Sequence, residues 1–177
     1  MENRYRPRLG VSDPTAELAH KLNSIKTSSI RAAFIKENNQ MAHYEQSISI
    51  AADPAQVWQT VGDFFSLATW HPAILSCVAN DEPMMRVVDL GNNMVVRERE
   101  LSRDDNAMTY TYEHVDLLLP VSEFVGRFTV TAGTTPAECS VTWSADFVPQ
   151  DVPEEAVIAI AGDVFKAGLQ GLAETFK

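Results

Sequence analysis

Cysteine is scarce in this sequence, which has only Cys77 and Cys139 among its 177 residues. Two distant cysteines do not make a disulfide-rich scaffold, and neither lies in a zinc-binding spacing, so we expect buried thiols. The sequence also lacks a glycine-rich phosphate loop and the spacing of a nucleophile, a histidine and an acid. We therefore expect no metal, no cofactor and no catalytic triad.

Long apolar runs are missing as well. No uninterrupted segment approaches the roughly 20 apolar residues that a membrane-spanning helix needs. Residues 1–10 contain no apolar signal-peptide region. Together with the scarcity of cysteine, these absences predict a cytoplasmic protein without a membrane span.

Basic residues become rare after residue 37. Residues 1–37 hold seven lysines and arginines against four acids, a net charge of +3, whereas residues 38–177 hold seven against twenty, a net charge of −13. Such an acidic body repels phosphates, so we expect no nucleic-acid partner. The change in charge also marks a boundary. It divides the chain into a basic N-terminal extension, residues 1–40, and a domain, residues 41–177.

The extension has helix signals of its own. Asp13-Pro14 is a typical helix start, and Leu18, Leu22 and Ile25 follow at the spacing of one helix face. Such a face packs either on the domain or on a second copy of the chain, so a homodimer is one expectation. A basic amphipathic start also occurs in transit peptides, but the acidic residues of the extension argue against that interpretation.

The domain alternates between apolar and polar residues as strands do. Residues 44–50 form a first predicted strand, and the others lie near residues 74–80, 84–90, 94–102, 108–115, 122–132 and 139–148. Short turn-forming segments separate them, as in an antiparallel meander. After the first strand, Asp53-Pro54 begins a helix that breaks at Gly62-Asp63 and resumes until Pro72.

A long apolar helix is predicted at the end of the chain. Asp151-Val152-Pro153-Glu154 resembles a capping box, with Asp151 as the cap. Gly162, Gly168 and Gly171 each weaken this helix by about 1 kcal/mol relative to alanine. They indicate the close approach of either a ligand or the sheet, and the sequence leaves both open.

Two short turns decide which strand residues lie opposite each other. If Gly91-Asn92-Asn93 is a three-residue turn, Arg86 is opposite Glu98, and if Asp104-Asp105-Asn106 is another, Glu98 is opposite Tyr112. Even-numbered residues then share the more apolar face of the sheet, which we expect to point inward. Arg86, Glu98 and Tyr112 would lie side by side in this interior.

Buried charges need partners, so Arg86 and Glu98 are predicted to form an ion pair. The pair either fixes the strand register or provides a polar anchor in an apolar pocket. Gly126, next to Tyr112, is expected to leave space there. The other inward residues named on the last two strands are Phe124, Phe128 and Trp143.

Several of these residues match a known pattern, namely Ile50-Ala51-Ala52-Asp53-Pro54, Val57-Trp58, Gly62-Asp63-Phe64, Trp70-His71-Pro72, Arg86, Glu98, Tyr112 and Trp143. Over about residues 44–177 the chain resembles the polyketide cyclase/dehydrase branch of the START-like superfamily. The resemblance implies an α+β helix-grip fold, in which a curved antiparallel sheet of about seven strands surrounds a long C-terminal helix, with a cavity between them.

The resemblance also implies two candidate functions. One is a cofactor-independent cyclase, dehydratase or isomerase acting on a polyketide-like or other hydrophobic carbonyl compound. The other is a carrier or sensor of a hydrophobic small molecule. One fold hosts many activities, so the resemblance does not choose between them.

Four residues are expected to carry the chemistry of an enzyme. His71 has a near-neutral pKa within the motif and is predicted to transfer protons, although a histidine beside an aromatic ring is often structural. Tyr112 would orient a substrate oxygen, and Arg86 with Glu98 would set the local field. The residues expected to contact the ligand are Trp70, Tyr110, His114, Phe124, Gly126, Phe128, Trp143, Val164 and Gly168.

Overall fold

The computed structural model describes residues 20–21 and 40–177. Residues 40–177 contain seven strands and three helices. In chain order these are β1 (Ala42–Ile50), α1 (Pro54–Val61), α2 (Leu67–Trp70), β2 (Ser76–Ala79), β3 (Met85–Asp89), β4 (Val95–Asp104), β5 (Thr109–His114), β6 (Val121–Ala132), β7 (Cys139–Pro149) and α3 (Glu154–Glu174). Each predicted strand is present, with bounds within two residues of those expected.

The seven strands form one antiparallel sheet in the order β1-β7-β6-β5-β4-β3-β2. Strands β2 to β7 follow one another as a meander, and β1 joins β7, so β1 and β2 are the two edges. Helix α3 packs on β1 and β7. This arrangement is the α+β helix-grip fold expected from the sequence.

The core lies between the sheet and α3. Val141, Trp143, Ala145 and Phe147 alternate along β7 and are all buried, as predicted. By length and composition α3 could also cross a membrane, although its sequence contains no uninterrupted apolar run of that length. In this fold its apolar residues pack against the sheet instead. They are Val157, Ile160, Ala161, Phe165, Leu169 and Leu172.

The connection between α1 and α2 is held by two arginines from the sheet. Asp53 caps α1 by accepting a hydrogen bond from the backbone N–H of Ala55 at 2.8 Å, and the helix ends at Gly62, as predicted. Arg103 donates to the backbone carbonyl of Gly62, and Arg86 donates to that of Phe64. The sheet therefore fixes the position of the kink between the two helices.

The predicted turn between β3 and β4 is confirmed. The backbone N–H of Leu90 donates to the carbonyl of Met94 at 2.9 Å. Gly91, Asn92 and Asn93 all have positive φ angles, which glycine and asparagine tolerate better than other residues. Arg86 is opposite Glu98 as a result.

The predicted register between β4 and β5 is wrong by two residues. The loop contains four residues, 105–108, and a bulge between Glu100 and Ser102 shifts the strand again. Glu98 therefore lies opposite His114, and Tyr112 lies opposite Glu100. Because the total shift is even, the inward face of β5 is still the predicted one.

The predicted capping box of α3 is also wrong. The helix begins at Glu154, and Pro153 occupies the cap position without a side-chain hydrogen bond. Asp151 has a φ of 58°, a left-handed conformation that belongs to the turn before the helix.

Most of the predicted N-terminal helix lies outside the described residues. Within it, His20 and Lys21 are described and are helical. The Lys21 ammonium group donates to the carboxylate of Asp163 on the outer face of α3. At this point the basic extension meets the acidic domain.

Candidate functional site

A cavity of about 70 Å³ lies between the inner face of the sheet and α3. Its wall is mainly apolar, and the side chains that bring polar atoms to it are His71, Glu98, Tyr112, His114 and Trp143. The partly exposed wall residues include Leu118, Leu119 and Val164, which mark the side nearest to solvent.

The predicted site residues fall into two groups. Those on the cavity wall are His71, Glu98, Tyr112, His114, Phe124, Trp143 and Val164. The others lie behind the wall and are Arg86, Trp70, Tyr110, Gly126, Phe128 and Gly168. The fold brings all of them into one interior, but only the first group borders the cavity.

Arg86, Glu98 and His114 form a continuous polar row across β3, β4 and β5. The Arg86 Nε atom donates to Glu98 Oε2 at 2.6 Å. Nη2 of Arg86 is also 2.6 Å from that oxygen, although its angle does not suit a hydrogen bond. The guanidinium group lies 3.9 Å from the centre of the Phe64 ring, a cation–π distance. The predicted ion pair is therefore present.

Glu98 shares its two oxygens between two partners. Oε2 is bound by Arg86, and Oε1 lies 3.1 Å from Nε2 of His114. Burial alone would raise the pKa of Glu98, but the Arg86 charge and the His114 contact outweigh burial and lower the pKa to about 2. Glu98 is therefore ionised at neutral pH, inside an apolar interior.

His114 stands where the polar row meets the cavity. Its ring stacks on Phe124, with ring centres 3.9 Å apart and planes at 19°. Nε2 contacts Glu98, whereas Nδ1 is buried and has no hydrogen-bond partner among the described residues. The predicted contact residue His114 thus takes the position beside Glu98 that the sequence assigned to Tyr112.

Tyr112 is held by Trp143. The indole N–H of Trp143 donates to the Tyr112 hydroxyl at 3.0 Å, and burial raises the pKa of Tyr112 well above its ordinary value. The phenol therefore keeps its proton at neutral pH. A protonated hydroxyl fixed in an apolar wall can donate a hydrogen bond to a ligand oxygen.

His71 is fixed by two hydrogen bonds. Its Nε2–H donates to the backbone carbonyl of Val164 at 3.1 Å, and Nδ1 accepts from the backbone N–H of Ala73 at 3.2 Å. Burial lowers its pKa to about 4. With both nitrogens in use and the ring neutral, this geometry gives His71 a structural role in the wall and does not support its predicted role in proton transfer.

Gly126, which was expected to leave space, and Gly168, which was expected to contact the ligand, do not border the cavity. A Cβ atom on Gly126 would lie 2.2 Å from the Tyr112 ring, which fills the predicted space. A Cβ on Gly168 would lie 2.5 Å from His71 and 2.7 Å from Trp143. Both glycines therefore allow close packing of wall residues, and the close neighbours of Gly168 are the side chains of His71 and Trp143.

Three predicted contact residues, Trp70, Tyr110 and Phe128, belong to a closely packed aromatic cluster that does not border the cavity. The rings of Tyr110 and Phe128 stack with centres 5.4 Å apart, and Trp70 meets Phe128 edge to face at 5.7 Å. Phe64 and Trp58 also contact Tyr110. This cluster fills the interior that lies behind the cavity wall.

A second arginine–glutamate pair lies near the aromatic cluster. Arg103 donates to both oxygens of Glu100, from Nε at 2.8 Å and from Nη2 at 2.7 Å. The Glu100 side chain is 2% exposed, whereas that of Arg103 is 26% exposed. No oxygen of Glu100 is shared with a histidine, and Glu100 does not border the cavity.

Sequence reasoning missed two sources of wall residues. Leu118 and Leu119 come from the loop between β5 and β6, and Leu67 and Ile74 come from α2 and the segment after it. The apolar run 117–119 before Pro120 was a signal, because apolar residues in a loop often cover an interior. The α3 residues Ala161 and Phe165 belong to the apolar face predicted for this helix, whereas Ile160 does not, and none of the three was assigned to the site.

Metal-binding groups do not occur in the described part of the chain. Residues 20–21 and 40–177 contain no cluster of three histidine, cysteine or acidic side chains arranged to hold an ion. Cys77 and Cys139 are both free thiols, the first partly buried and the second buried.

Solved structures with the same fold include three useful comparisons. An uncharacterised protein from Bacillus thuringiensis is 30% identical, with a TM-score of 0.73 over 76% of this chain and 98% of its own. The protein XoxI from Bacillus cereus is 32% identical, with a TM-score of 0.71 over 76% and 95%. The Zhui aromatase/cyclase from Streptomyces sp. R1128 is 17% identical, with a TM-score of 0.61 over 77% and 93%, a likeness of fold alone.

No curated protein matches the chain by sequence. The sequence profile of the family described as "Polyketide cyclase / dehydrase and lipid transport" matches residues 41–177, the whole of the predicted domain. The match covers the sheet, α3 and all of the predicted site residues. The chain therefore belongs to the polyketide cyclase/dehydrase and lipid transport family.

Proposed function

We propose that this protein binds a hydrophobic carbonyl compound in the cavity and catalyses its cyclisation, dehydration or isomerisation without a cofactor. The observation that carries this proposal is the Glu98–His114 pair on an otherwise apolar wall. A carboxylate behind an imidazole is a common arrangement for moving protons, because the carboxylate orients the ring and stabilises its charged form.

Each polar residue has a distinct role in this proposal. His114 exchanges a proton with the substrate, and Glu98 stabilises the imidazolium that forms. Tyr112 donates a hydrogen bond to the carbonyl oxygen of the substrate, where negative charge develops as the substrate loses its proton. Arg86 keeps Glu98 ionised. His71 and the apolar residues fold the substrate into a reactive shape.

The size of the cavity limits how the substrate enters. An engineered cavity of about 150 Å³ in another protein holds benzene, whereas this one measures about 70 Å³. A substrate with even one ring therefore requires wall side chains to move apart. Leu118 and Leu119 are the candidates, because they are partly exposed and lie in a loop.

A carrier or sensor is the second candidate function, and a specific observation favours it. The buried groups are strongly tied to one another: both nitrogens of His71 are used, and both oxygens of Glu98 have partners. An interior of this kind can hold a ligand without changing it. The two functions share the cavity and differ in whether the bound compound is converted.

Native mass spectrometry of the purified full-length protein tests the shared part of the proposal. Ala161→Leu fills the cavity from α3, and Ala167→Leu makes the same change on the same helix outside the cavity. We expect the wild type and Ala167→Leu to retain a co-purified compound and Ala161→Leu to lose it. Equal retention by all three proteins would show that the ligand does not occupy this cavity.

The recovered compound then separates the two functions. It is returned to ligand-free protein at neutral pH and followed by chromatography. A new product in the presence of the wild type, but not of a Glu98→Gln variant, supports the enzyme. Recovery of the unchanged compound, even when the protein is added in large molar excess, supports the carrier.

A further inference from the structure

His114 differs from the other polar residues of the cavity wall in having one unused nitrogen. Nε2 lies 3.1 Å from Glu98 Oε1, and the buried Nδ1 has no partner among the described residues. Most buried polar atoms in proteins have at least one hydrogen-bond partner, so an exception calls for an explanation.

Glu98 determines which nitrogen of His114 carries the proton. Its carboxylate is held ionised by Arg86 and has no proton to donate, so Nε2 must supply the hydrogen of that contact. In the neutral ring Nδ1 is then a bare lone pair that can only accept. The stacked Phe124 ring, 3.9 Å away, holds the imidazole plane in this orientation.

The other polar groups on the wall already have partners. His71 uses both nitrogens on the backbone of Ala73 and Val164. The indole N–H of Trp143 is donated to Tyr112. The Tyr112 hydroxyl accepts from Trp143 and keeps a proton to donate, so Nδ1 of His114 is the nitrogen acceptor that is left without a partner in the described part of the wall.

We propose that Nδ1 of His114 accepts a hydrogen bond from a hydroxyl group of the ligand, and that the ligand is an apolar molecule bearing a phenol, enol or alcohol. The inference rests on the proposed function of the cavity and adds the chemical group that the cavity selects. A ketone, ether or hydrocarbon cannot make this contact, because none of them has a proton to donate. A site built around a hydrogen bond discriminates strongly against a ligand that lacks the matching group.

Two probes of nearly the same shape test this selectivity. The hydroxyl group of 4-methylphenol is replaced by a methyl group in p-xylene. In titrations of the full-length protein, we expect the wild type to bind 4-methylphenol roughly tenfold or more tightly than p-xylene. His114→Phe keeps the stacked ring but loses both nitrogens, so it should bind p-xylene at least as tightly as 4-methylphenol.

A matched control uses the second arginine–glutamate pair. Arg103→Lys changes a charged side chain of the interior away from the cavity, and it should keep the wild-type preference for 4-methylphenol. A loss of preference in this variant as large as that in His114→Phe would overturn the assignment to His114.

Nitrogen NMR of the wild type, labelled at histidine, gives a direct measurement that does not depend on the folding of a variant. We expect His114 to carry its hydrogen on Nε2, and its Nδ1 resonance to shift with 4-methylphenol but not with p-xylene. If both probes bind equally and Nδ1 does not respond, the inference is wrong while the cavity remains a binding site. If neither probe binds, the cavity proposal itself is wrong, and the inference fails with it.

Discussion

The interior holds two arginine–glutamate pairs that differ in which residues bind the oxygens of the glutamate. Near the aromatic cluster, Arg103 donates hydrogen bonds to both oxygens of Glu100. At the cavity end, Arg86 takes one oxygen of Glu98 and leaves the other to His114. Both arginines also donate to the connection between α1 and α2, so both have a structural role. Only the Arg86–Glu98 pair extends that role to the cavity through a third residue.

The partners of a buried carboxylate indicate what an ion pair contributes to the protein. A bidentate contact, in which one arginine binds both carboxylate oxygens, stabilises only the fold. We propose that a carboxylate shared with a histidine at a cavity wall also influences what occupies the cavity, because its charge acts on the histidine. The number of residues that share the carboxylate, two for Glu98 and one for Glu100, therefore separates the two pairs better than burial does, since both glutamates are buried.

The largest expected effect comes from removing one member of each pair. Arg86→Ala and Glu98→Ala should each lower the free energy of unfolding by about 3–5 kcal/mol, because the partner charge is left buried. Arg103→Ala should cost less, about 1–3 kcal/mol, because the 26% exposed Arg103 side chain covers Glu100 on the solvent side and its removal admits water. Urea unfolding measures both.

A double-mutant cycle checks the interpretation of that result. Arg86→Ala combined with Glu98→Ala should cost less than the sum of the single changes, because no charge is stranded. Strict additivity, or equal losses at the two pairs, would contradict the difference drawn between them.

The next effect is a pH dependence of the free energy of unfolding, caused by His71 on the cavity wall. His71 has a pKa of about 4 in the folded protein and about 6.5 in the unfolded chain. The unfolded chain therefore takes up the proton first, and stability should fall by about 3 kcal/mol as the pH drops from about 6.5 to about 4. Above pH 6.5 His71 should contribute no pH dependence.

His71→Gln provides the comparison for this titration, because glutamine can form hydrogen bonds but does not titrate in this range. Its unfolding free energy should change less steeply between pH 6.5 and pH 4 than that of the wild type. Glu98 affects stability at lower pH. Its pKa of about 2 in the folded protein lies below its ordinary value of 4.5. Its contribution to stability is therefore complete above about pH 4.5 and is lost as the pH falls toward about 2. Identical pH profiles for His71→Gln and the wild type would show that His71 is not buried as a neutral ring.

A smaller effect distinguishes the filled interior from the cavity. Gly126→Ala should cost about 1–3 kcal/mol, because its new methyl group would meet the Tyr112 ring. Ala161→Leu adds a larger group but places it toward the cavity, so it should cost less. Thermal unfolding of the two variants measures the difference, and the reverse order would mean that the space lies beside Gly126 after all.

The smallest effect is expected from removal of the extension. A chain of residues 41–177 should keep the fold and its ligand binding, because the strands and helices of the domain all lie within that range. The Lys21–Asp163 contact is exposed, and exposed ion pairs contribute about 0–1 kcal/mol. Light scattering of both chains shows whether the extension holds two copies together. An insoluble or unfolded short chain would mean that the extension completes the core.

Much of the fold could be predicted because its signals are local. Alternation identified the strands, Asp53-Pro54 identified the start of α1, and the turn at Gly91 placed Arg86 opposite Glu98. Each of these signals depends on residues close in sequence, for which hydrogen bonding and side-chain parity have few alternatives.

The details of the site could not be predicted because they depend on irregular backbone. The four-residue loop 105–108 and the bulge before Ser102 together place His114 where Tyr112 was expected, and no residue of β4 indicates a bulge. The hydrogen bonds of His71 reach across to α3, and the space beside Gly126 is taken by a ring from the neighbouring strand. These contacts arise only when distant segments pack together.

The pairing of β1 with β7 has a consequence for the order of events during synthesis. Ala42 is opposite Phe147, so β1 pairs, within the part of the chain that the structure describes, with a strand made about 100 residues later. At roughly 5–20 residues per second, the first strand waits on the order of 5–20 s before it can pair. The meander from β2 to β6 can form in that interval, and the last strand and α3 then close the sheet over its interior. Newly made chains should therefore be most open to chaperones, and to a ligand, just before β7 and α3 emerge from the ribosome.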